Sequence, residues 1–186
     1  MRSSPPDPRT VAELAVAVAL AAVLSLVRIR MPHLLYGGSV SLQALPLLAV
    51  ALRRGTRAGM VGGAAYGFVD FLIGPYYVHP IQVLLDYPVA FGALGLAALP
   101  ARARWLSPGA AATLGVILAS AARLTAHFLS GIVYFADLAP EGVAAWKYSL
   151  GYNASYVVPE AAISLVLIGP LLRRLRADQS SGARRA

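Results

Sequence analysis

The chain has 186 residues, of which 58% are hydrophobic and only 13% are charged, and its mean hydropathy is +0.66. Soluble domains average about a quarter charged residues, so this composition excludes an ordinary soluble domain and predicts an integral membrane protein. The sequence has no cysteine, which excludes disulfides and thiolate metal sites. It also lacks a P-loop and an H-E-x-x-H motif, so we expect no nucleotide site of the P-loop type, no zinc site and no cofactor.

Six apolar segments follow one another, and each is long enough, or nearly so, to cross a hydrocarbon core of about 30 Å. They lie at residues 11–28, 40–54, 58–74, 80–100, 109–134 and 151–172. None shows the alternation of barrel strands, so we predict an all-α bundle of six transmembrane helices. The second segment is short and contains Pro46, which predicts a tilted or partly sheltered helix. The predicted organisation is a cytoplasmic segment at 1–10, a membrane domain at 11–175 and a disordered cytoplasmic tail at 176–186.

Basic residues are distributed unevenly between the two ends of the predicted helices. One side of the membrane would carry both termini and these arginines: Arg2, Arg9, Arg53, Arg54, Arg57, Arg102, Arg104, Arg173, Arg174, Arg176, Arg184 and Arg185. The other side would carry Arg28, Arg30 and Lys147. The positive-inside rule therefore predicts that both termini are cytoplasmic. Because the arginines are scattered over loops and form no basic face with aromatics, nucleic-acid binding is not expected.

Small residues recur at helical spacing in two segments. Glycines follow one another every four residues on the third segment, at Gly55, Gly59, Gly63 and Gly67, which predicts a stripe for close packing inside the bundle. In the first segment Ala15 and Ala19 form a small-xxx-small pair, with Ala17 and Ala21 beside them. The Ala15 and Ala19 pair predicts a docking face for a partner helix.

Several polar side chains fall inside the apolar segments, where ionisable groups are costly and usually face a bundle interior or a cavity. They are Asp70, Asp86, Arg123, His127, Asn153 and Glu160. For Arg123 the simplest interpretation is an internal ion pair with Asp70 or Glu160, and for Asp86 it is a structural ion pair. For His127 a buried core histidine and a site residue remain open. Together with nearby tyrosines, this set fits a small organic solute such as a cation, because a carboxylate supplies counter-charge and aromatic faces attract cations.

Three stretches resemble the thiamine-specific S components of energy-coupling factor (ECF) vitamin transporters, the ThiT family. They are "GSVSLQALPLLAVALRRGTRAGMVGG" (38–63), "YYVHPIQVLLDYPVAFGALGL" (76–96) and "RLTAHFLSGIVYFADLAPEGVAAWKYSLGYNASYVVPE" (123–160). The third is the most specific, because H-F-x-S-G and Y-S-x-x-Y-N occur in it with the spacing of that family. The resemblance implies a six-helix S component of the bacterial plasma membrane, not an enzyme, which binds thiamine from the outer face. Its implied partners are a transmembrane coupling subunit and two ATPase subunits.

The resemblance also implies a binding site, carried over position by position. The residues concerned are Tyr36, Tyr76, Asp86, Tyr87, His127, Gly131, Phe135, Tyr148 and Asn153. Asp86 would contact the cationic or aminopyrimidine part of thiamine, and Gly131 would allow close approach. Tyr148 would lie in the loop before the sixth helix, with Trp146 near it. Tyr36 and Phe135 stand where relatives have tryptophans.

Two other functions remain open at the level of the sequence. One is a stand-alone secondary transporter of a small organic cation, with Asp70, Asp86, Arg123 and Glu160 as a proton path. The other is a membrane enzyme that uses Asp86 and His127 as acid and base. The sequence shows no inverted internal repeat, which weighs against many secondary transporters.

Overall fold

The computed structural model describes residues 7–29, 31–34 and 37–183, with side chains as far as Leu175. Six helices dominate this part of the chain: α1 (Pro8–Leu26), α2 (Ala44–Arg54), α3 (Thr56–Ile73), α4 (Pro80–Arg102), α5 (Pro108–Tyr134) and α6 (Ala145–Ala183). Their number confirms the predicted all-α bundle. By length and apolarity, four of them can cross a membrane, namely α1, α4, α5 and the Ala145–Leu175 part of α6.

The shortest helix, α2, begins later than its apolar pattern predicts. Residues 40–43 were placed in it, but Val40–Ser41 forms a strand, β2, that pairs antiparallel with β1 (Arg28–Ile29). The same pairing ends α1 at Leu26, before the predicted end at residue 28. With 11 residues, α2 is about 16 Å long, too short to cross a core of about 30 Å. Most of its residues are buried in the bundle, which confirms the prediction of a sheltered helix.

Three helices begin with the same local device, a capping side chain followed by proline. The caps and prolines are Asp7 with Pro8 in α1, His79 with Pro80 in α4, and Ser107 with Pro108 in α5. Each capping side chain accepts a hydrogen bond of 3.2 Å from a backbone N–H of the first turn. Proline at the first helical position has no N–H to leave unpaired, so these dipeptides set where the helices start.

The glycine stripe of α3 packs against α4. A Cβ on Gly63 would lie 2.1 Å from the carbonyl oxygen of Phe91, and one on Gly67 would lie 2.5 Å from that of Tyr87. These distances confirm the predicted close packing inside the bundle. Gly55 does not belong to the helix: it lies between α2 and α3 with φ of +91°, a left-handed conformation that makes the turn and favours glycine.

Helix α4 changes its hydrogen-bonding pattern along its length. After one α-helical turn, Leu85–Val89 forms a π turn, and the chain continues as α-helix over Ala90–Gly92 and then as 3₁₀ helix from Ala93. Pro88 lies inside the π turn, where it cannot donate to the α-helical ladder because it has no N–H. The π turn also contains Asp86, so this carboxylate lies where the helix widens.

Helix α6 is longer than predicted at both ends. It begins at Ala145 rather than at residue 151, so Tyr148 lies in the helix and its predicted place in a loop is wrong. Polar and aromatic residues interrupt the apolar pattern there, but the backbone is helical, and Tyr148 N donates to Ala144 O at 3.1 Å. At the other end the helix continues to Ala183, into the stretch assigned to the tail. The limits of the domains stay a prediction.

Helix α1 has one buried and one exposed pair of alanines. Ala17 and Ala21 are buried against the bundle, whereas Ala15 and Ala19 are exposed. The rotation of the helix is fixed near its start by Glu13, whose carboxylate accepts hydrogen bonds from two arginines at the end of α2. The pair singled out for docking therefore faces away from the bundle.

Candidate functional site

A cavity of about 370 Å³ lies between the end of α3, the start of α4, the second half of α5, the start of α6 and the segment joining α1 to α2. Eight of the nine predicted binding residues line it: Tyr76, Asp86, Tyr87, His127, Gly131, Phe135, Tyr148 and Asn153. The ninth, Tyr36, lies outside the described residues. Residues that are distant in the sequence thus meet around one space, which is large enough for a small organic molecule.

The carboxylate of Asp86 is anchored through one oxygen and paired with His127 through the other. Its Oδ2 accepts hydrogen bonds from Gln82 Nε2 and Ser130 Oγ, both at 2.8 Å. Its Oδ1 lies 3.1 Å from Nδ1 of His127. The side chain is 18% exposed and borders the cavity. Asp86 therefore has protein partners and a face toward a bound molecule at the same time.

The imidazole of His127 is buried between Asp86 and Tyr156. Its ring stands edge-on to that of Tyr156, with the centroids 5.7 Å apart. Within the described part of the chain, His127 Nε2 has no hydrogen-bond partner. Buried polar atoms are nearly always paired, so this nitrogen is an exception, and it is enclosed by protein although other atoms of His127 line the cavity.

Asn153 and Gly131 hold α5 and α6 close together in the cavity wall. Asn153 Nδ2 donates to His127 O at 3.3 Å and to Ser149 O at 2.9 Å, and its Oδ1 accepts from the Tyr156 hydroxyl at 2.7 Å. A Cβ on Gly131 would lie 2.1 Å from Ser149 Oγ. The close approach that Gly131 permits is therefore between helices. The second lone pair of Asn153 Oδ1 can accept a hydrogen bond from a bound molecule.

Aromatic rings form one side of the cavity, where α3 leads into α4. The Tyr87 hydroxyl accepts a hydrogen bond from Tyr76 N at 3.0 Å and donates one to Gly74 O at 3.2 Å, which fixes the turn after α3. The ring of Tyr76 packs against Phe135, with centroids 5.8 Å apart and planes inclined by 33°. These rings border the cavity and can pack against a flat or cationic ligand.

Arg123 forms its ion pair with Glu160 and not with Asp70. The Arg123 Nη1 to Glu160 Oε2 distance is 2.5 Å, and the two side chains are only 4% and 2% exposed. Ser41 Oγ donates to the other carboxylate oxygen at 3.3 Å, and the guanidinium lies 4.5 Å from the ring centre of Phe91. Asp70 instead accepts a hydrogen bond from a tyrosine of its own helix at 3.1 Å. The predicted internal partner of Arg123 is confirmed, with Glu160 as that partner.

Two residues that contact Asp86 were not singled out from the sequence. Gln82 precedes Asp86 by four residues, which places both on one face of a helix, and this spacing was a readable signal. Ser130 lies within the H-F-x-S-G motif, between His127 and Gly131. In the described ranges, no group of three His, Cys, Asp or Glu side chains is placed to hold a metal ion.

A polar, aromatic-lined cavity within a bundle of apolar helices defines a small integral membrane protein that holds a solute. The family model described as thiamine transporter protein (Thia_YuaJ) matches residues 11–178 of the chain. The chain belongs to this family. Because the family consists of transporters, the alternative of a membrane enzyme is excluded.

Individual relatives and solved structures agree with this assignment. The thiamine transporter ThiT of Bacillus subtilis (strain 168) is 35% identical over 181 residues, which cover 90% of this chain and 94% of that protein. ThiT of Lacticaseibacillus paracasei is 27% identical over 174 residues, covering 86% and 85% of the two chains. A structure of ThiT from Listeria monocytogenes has a TM-score of 0.76 at 25% identity and covers 89% of this chain and 93% of its own. The S component of a bacterial ECF transporter has a TM-score of 0.65 at 16% identity, with 92% and 97% covered, and confirms an S-component-like fold.

Proposed function

We propose that this chain is a high-affinity thiamine-binding S component of an ECF-type uptake transporter in the bacterial cell membrane. The cavity around Asp86 and His127 carries this proposal. Thiamine combines a thiazolium cation with an aminopyrimidine, and a carboxylate beside aromatic faces suits both groups. The volume of about 370 Å³ lies within the range of about 300–1,000 Å³ that is usual for small-molecule pockets. Membership of the thiamine transporter family supports the same ligand.

The polar atoms of the cavity have different roles in this proposal. Asp86 meets a polar atom of thiamine through Oδ1, the oxygen that Gln82 and Ser130 do not hold, and the imidazole of His127 lies beside it in the cavity lining. Asn153 adds one acceptor through Oδ1. The remaining binding residues supply aromatic or close-packed surface, and they are Tyr36, Tyr76, Tyr87, Gly131, Phe135 and Tyr148.

The partners in this proposal are a transmembrane coupling subunit and two ATPase subunits. We place the contact with the coupling subunit at Ala15 and Ala19 of α1, both of which are exposed on the surface of the bundle. Small residues four positions apart allow the backbone of a partner helix to approach closely. The excess of arginines on one side supports cytoplasmic termini, so thiamine would enter from the outer face.

Titration of the purified protein with thiamine, after removal of co-purified ligand, tests the function. We expect saturable binding with a nanomolar Kd, on the order of −12 kcal/mol. Absence of saturable binding below about 10 µM thiamine in ligand-free protein would contradict the proposal. Uptake of thiamine into vesicles by this chain alone, without ATPases, would identify a stand-alone secondary transporter instead.

A further inference from the structure

Two buried side chains hold the carboxylate of Asp86: Ser130, which does not line the cavity, and Gln82, which lies in the cavity wall. Gln82 is 1% exposed and Ser130 is 0% exposed. Both donate to Oδ2 of Asp86, each at 2.8 Å, while Oδ1 is left to His127. One oxygen of the carboxylate thus has two fixed donors, and the other is paired with His127 at the cavity.

Gln82 is itself fixed at both ends of its amide. Its Oε1 accepts a hydrogen bond from Val78 N at 3.1 Å, and its Nε2 donates to Asp86. The amide cannot rotate without breaking both bonds. Ser130 reaches the same oxygen from α5, so the carboxylate is tied to two helices and to the segment before α4.

The terminal torsion of an aspartate is broad, and a carboxylate without fixed donors samples many orientations. Two donors on Oδ2 remove this freedom and keep Oδ1 toward His127 and the cavity. We propose that Gln82 and Ser130 are positioning residues that fix the Asp86 carboxylate before the ligand arrives, so that Oδ1 alone meets it. This inference rests on the thiamine-binding function proposed above. Such preorganisation raises affinity, because the carboxylate is already oriented in the folded protein and loses little conformational entropy when the ligand binds.

The test is a double-mutant cycle read by calorimetric titration with thiamine. Ser130→Ala and Gln82→Met are each made in the wild-type chain and in Asp86→Ala. With Asp86 present, each should weaken binding roughly tenfold, and with Asp86→Ala each should weaken it by less than about twofold. Ser164→Ala is the matched control, since Ser164 is a buried serine of α6 that does not line the cavity, and its affinity should stay within about twofold of wild type.

The outcomes separate this inference from the function on which it rests. If the wild-type chain binds no thiamine, both are overturned. If it binds thiamine but Ser130→Ala and Gln82→Met cause no loss, or the same loss in both backgrounds, only the positioning role is overturned. If Asp86→Ala binds too weakly to titrate, Ser130→Thr decides, because it keeps the hydroxyl. A thiamine affinity of Ser130→Thr within about twofold of wild type then supports the positioning role, and a loss as large as that of Ser130→Ala overturns it.

Discussion

Asp86 on α4 and His127 on α5 face each other in the cavity wall, with Oδ1 of the carboxylate 3.1 Å from Nδ1 of the imidazole. Each residue also has an atom that this contact does not use. The carboxylate is held from behind through Oδ2, and the imidazole directs its unpaired Nε2 away from Asp86. A carboxylate and an imidazole ring therefore lie side by side in the cavity wall, which suits a ligand with several polar atoms on one ring.

Replacing Asp86 with asparagine tests the charge of this pair. Asp86→Asn keeps the size of the side chain, and loss of a charge-assisted hydrogen bond costs about 1.5–3 kcal/mol, so thiamine should bind roughly tenfold to a hundredfold more weakly. Isothermal titration measures the change. Asp137→Asn is the control, because Asp137 is an exposed carboxylate just after α5 that does not border the cavity. Equal losses in the two variants would mean that overall charge, and not the site, determines affinity.

Removal of the His127 imidazole should weaken thiamine binding by a comparable factor. His127→Ala leaves a polar atom of the ligand without its partner, at a cost of about 1–3 kcal/mol. The control is His79→Asn, since His79 lies outside the cavity lining and asparagine can still cap α4. If Asp86→Asn and His127→Ala both keep the affinity of the wild type, the binding site lies elsewhere.

The Arg123–Glu160 ion pair should matter for stability more than for affinity. Arg123→Ala leaves Glu160 buried without its partner, which costs about 3–5 kcal/mol. We expect a lower thermal midpoint and a lower yield of folded protein, with thiamine affinity largely kept in the protein that folds. Arg123→Met combined with Glu160→Leu should recover part of the stability, because no unpaired charge remains. Normal stability with lost binding in Arg123→Ala would instead make Arg123 a ligand contact.

The packing of α3 on α4 can be tested with one methyl group. In Gly63→Ala the new Cβ would lie 2.1 Å from the backbone oxygen of Phe91, so the helices must separate. Overpacking of this kind typically costs about 1–3 kcal/mol, and the thermal midpoint should fall. Gly151→Ala in α6 is the control: nothing lies within 4 Å of its Cβ, and alanine should raise helix stability by about 0.5–1 kcal/mol. Similar midpoints for the two variants would contradict close contact between α3 and α4.

The sequence predicts those parts of the fold that depend on local pattern. Long apolar runs predict the number of helices, and prolines after capping residues mark where α4 and α5 begin. The pairing of Arg28–Ile29 with Val40–Ser41 was missed, because two residues are too short for a strand pattern. The π turn around Asp86 was also missed, since a single π turn inside a longer helix leaves no periodic signal in the sequence.

Residue types and the family resemblance predict which residues form the site, but they do not predict the hydrogen bonds that hold those residues in place. Eight of the predicted binding residues line one cavity, yet Ser130 looks like an ordinary polar residue until the fold brings it to Asp86, and only its four-residue spacing from Asp86 marks Gln82. Trp146 shows the opposite case. It lies close to Tyr148 in sequence, but it is 51% exposed and does not line the cavity, because two positions along a helix point to nearly opposite sides.

The exposed alanine pair of α1 gives a prediction about transport. Ala15→Trp or Ala19→Trp places a large side chain on the surface where we propose that the coupling subunit docks, and it should prevent close helix contact. Thiamine binding should be unchanged, since the cavity lining includes no residue of α1, whereas uptake in cells that supply the coupling subunits should fall sharply. Val166→Trp is the control, because Val166 is 72% exposed and belongs to a different helix, α6. Loss of binding and uptake together would mean that the pair serves packing within the chain. Normal uptake in both alanine variants would place the docking surface on another helix.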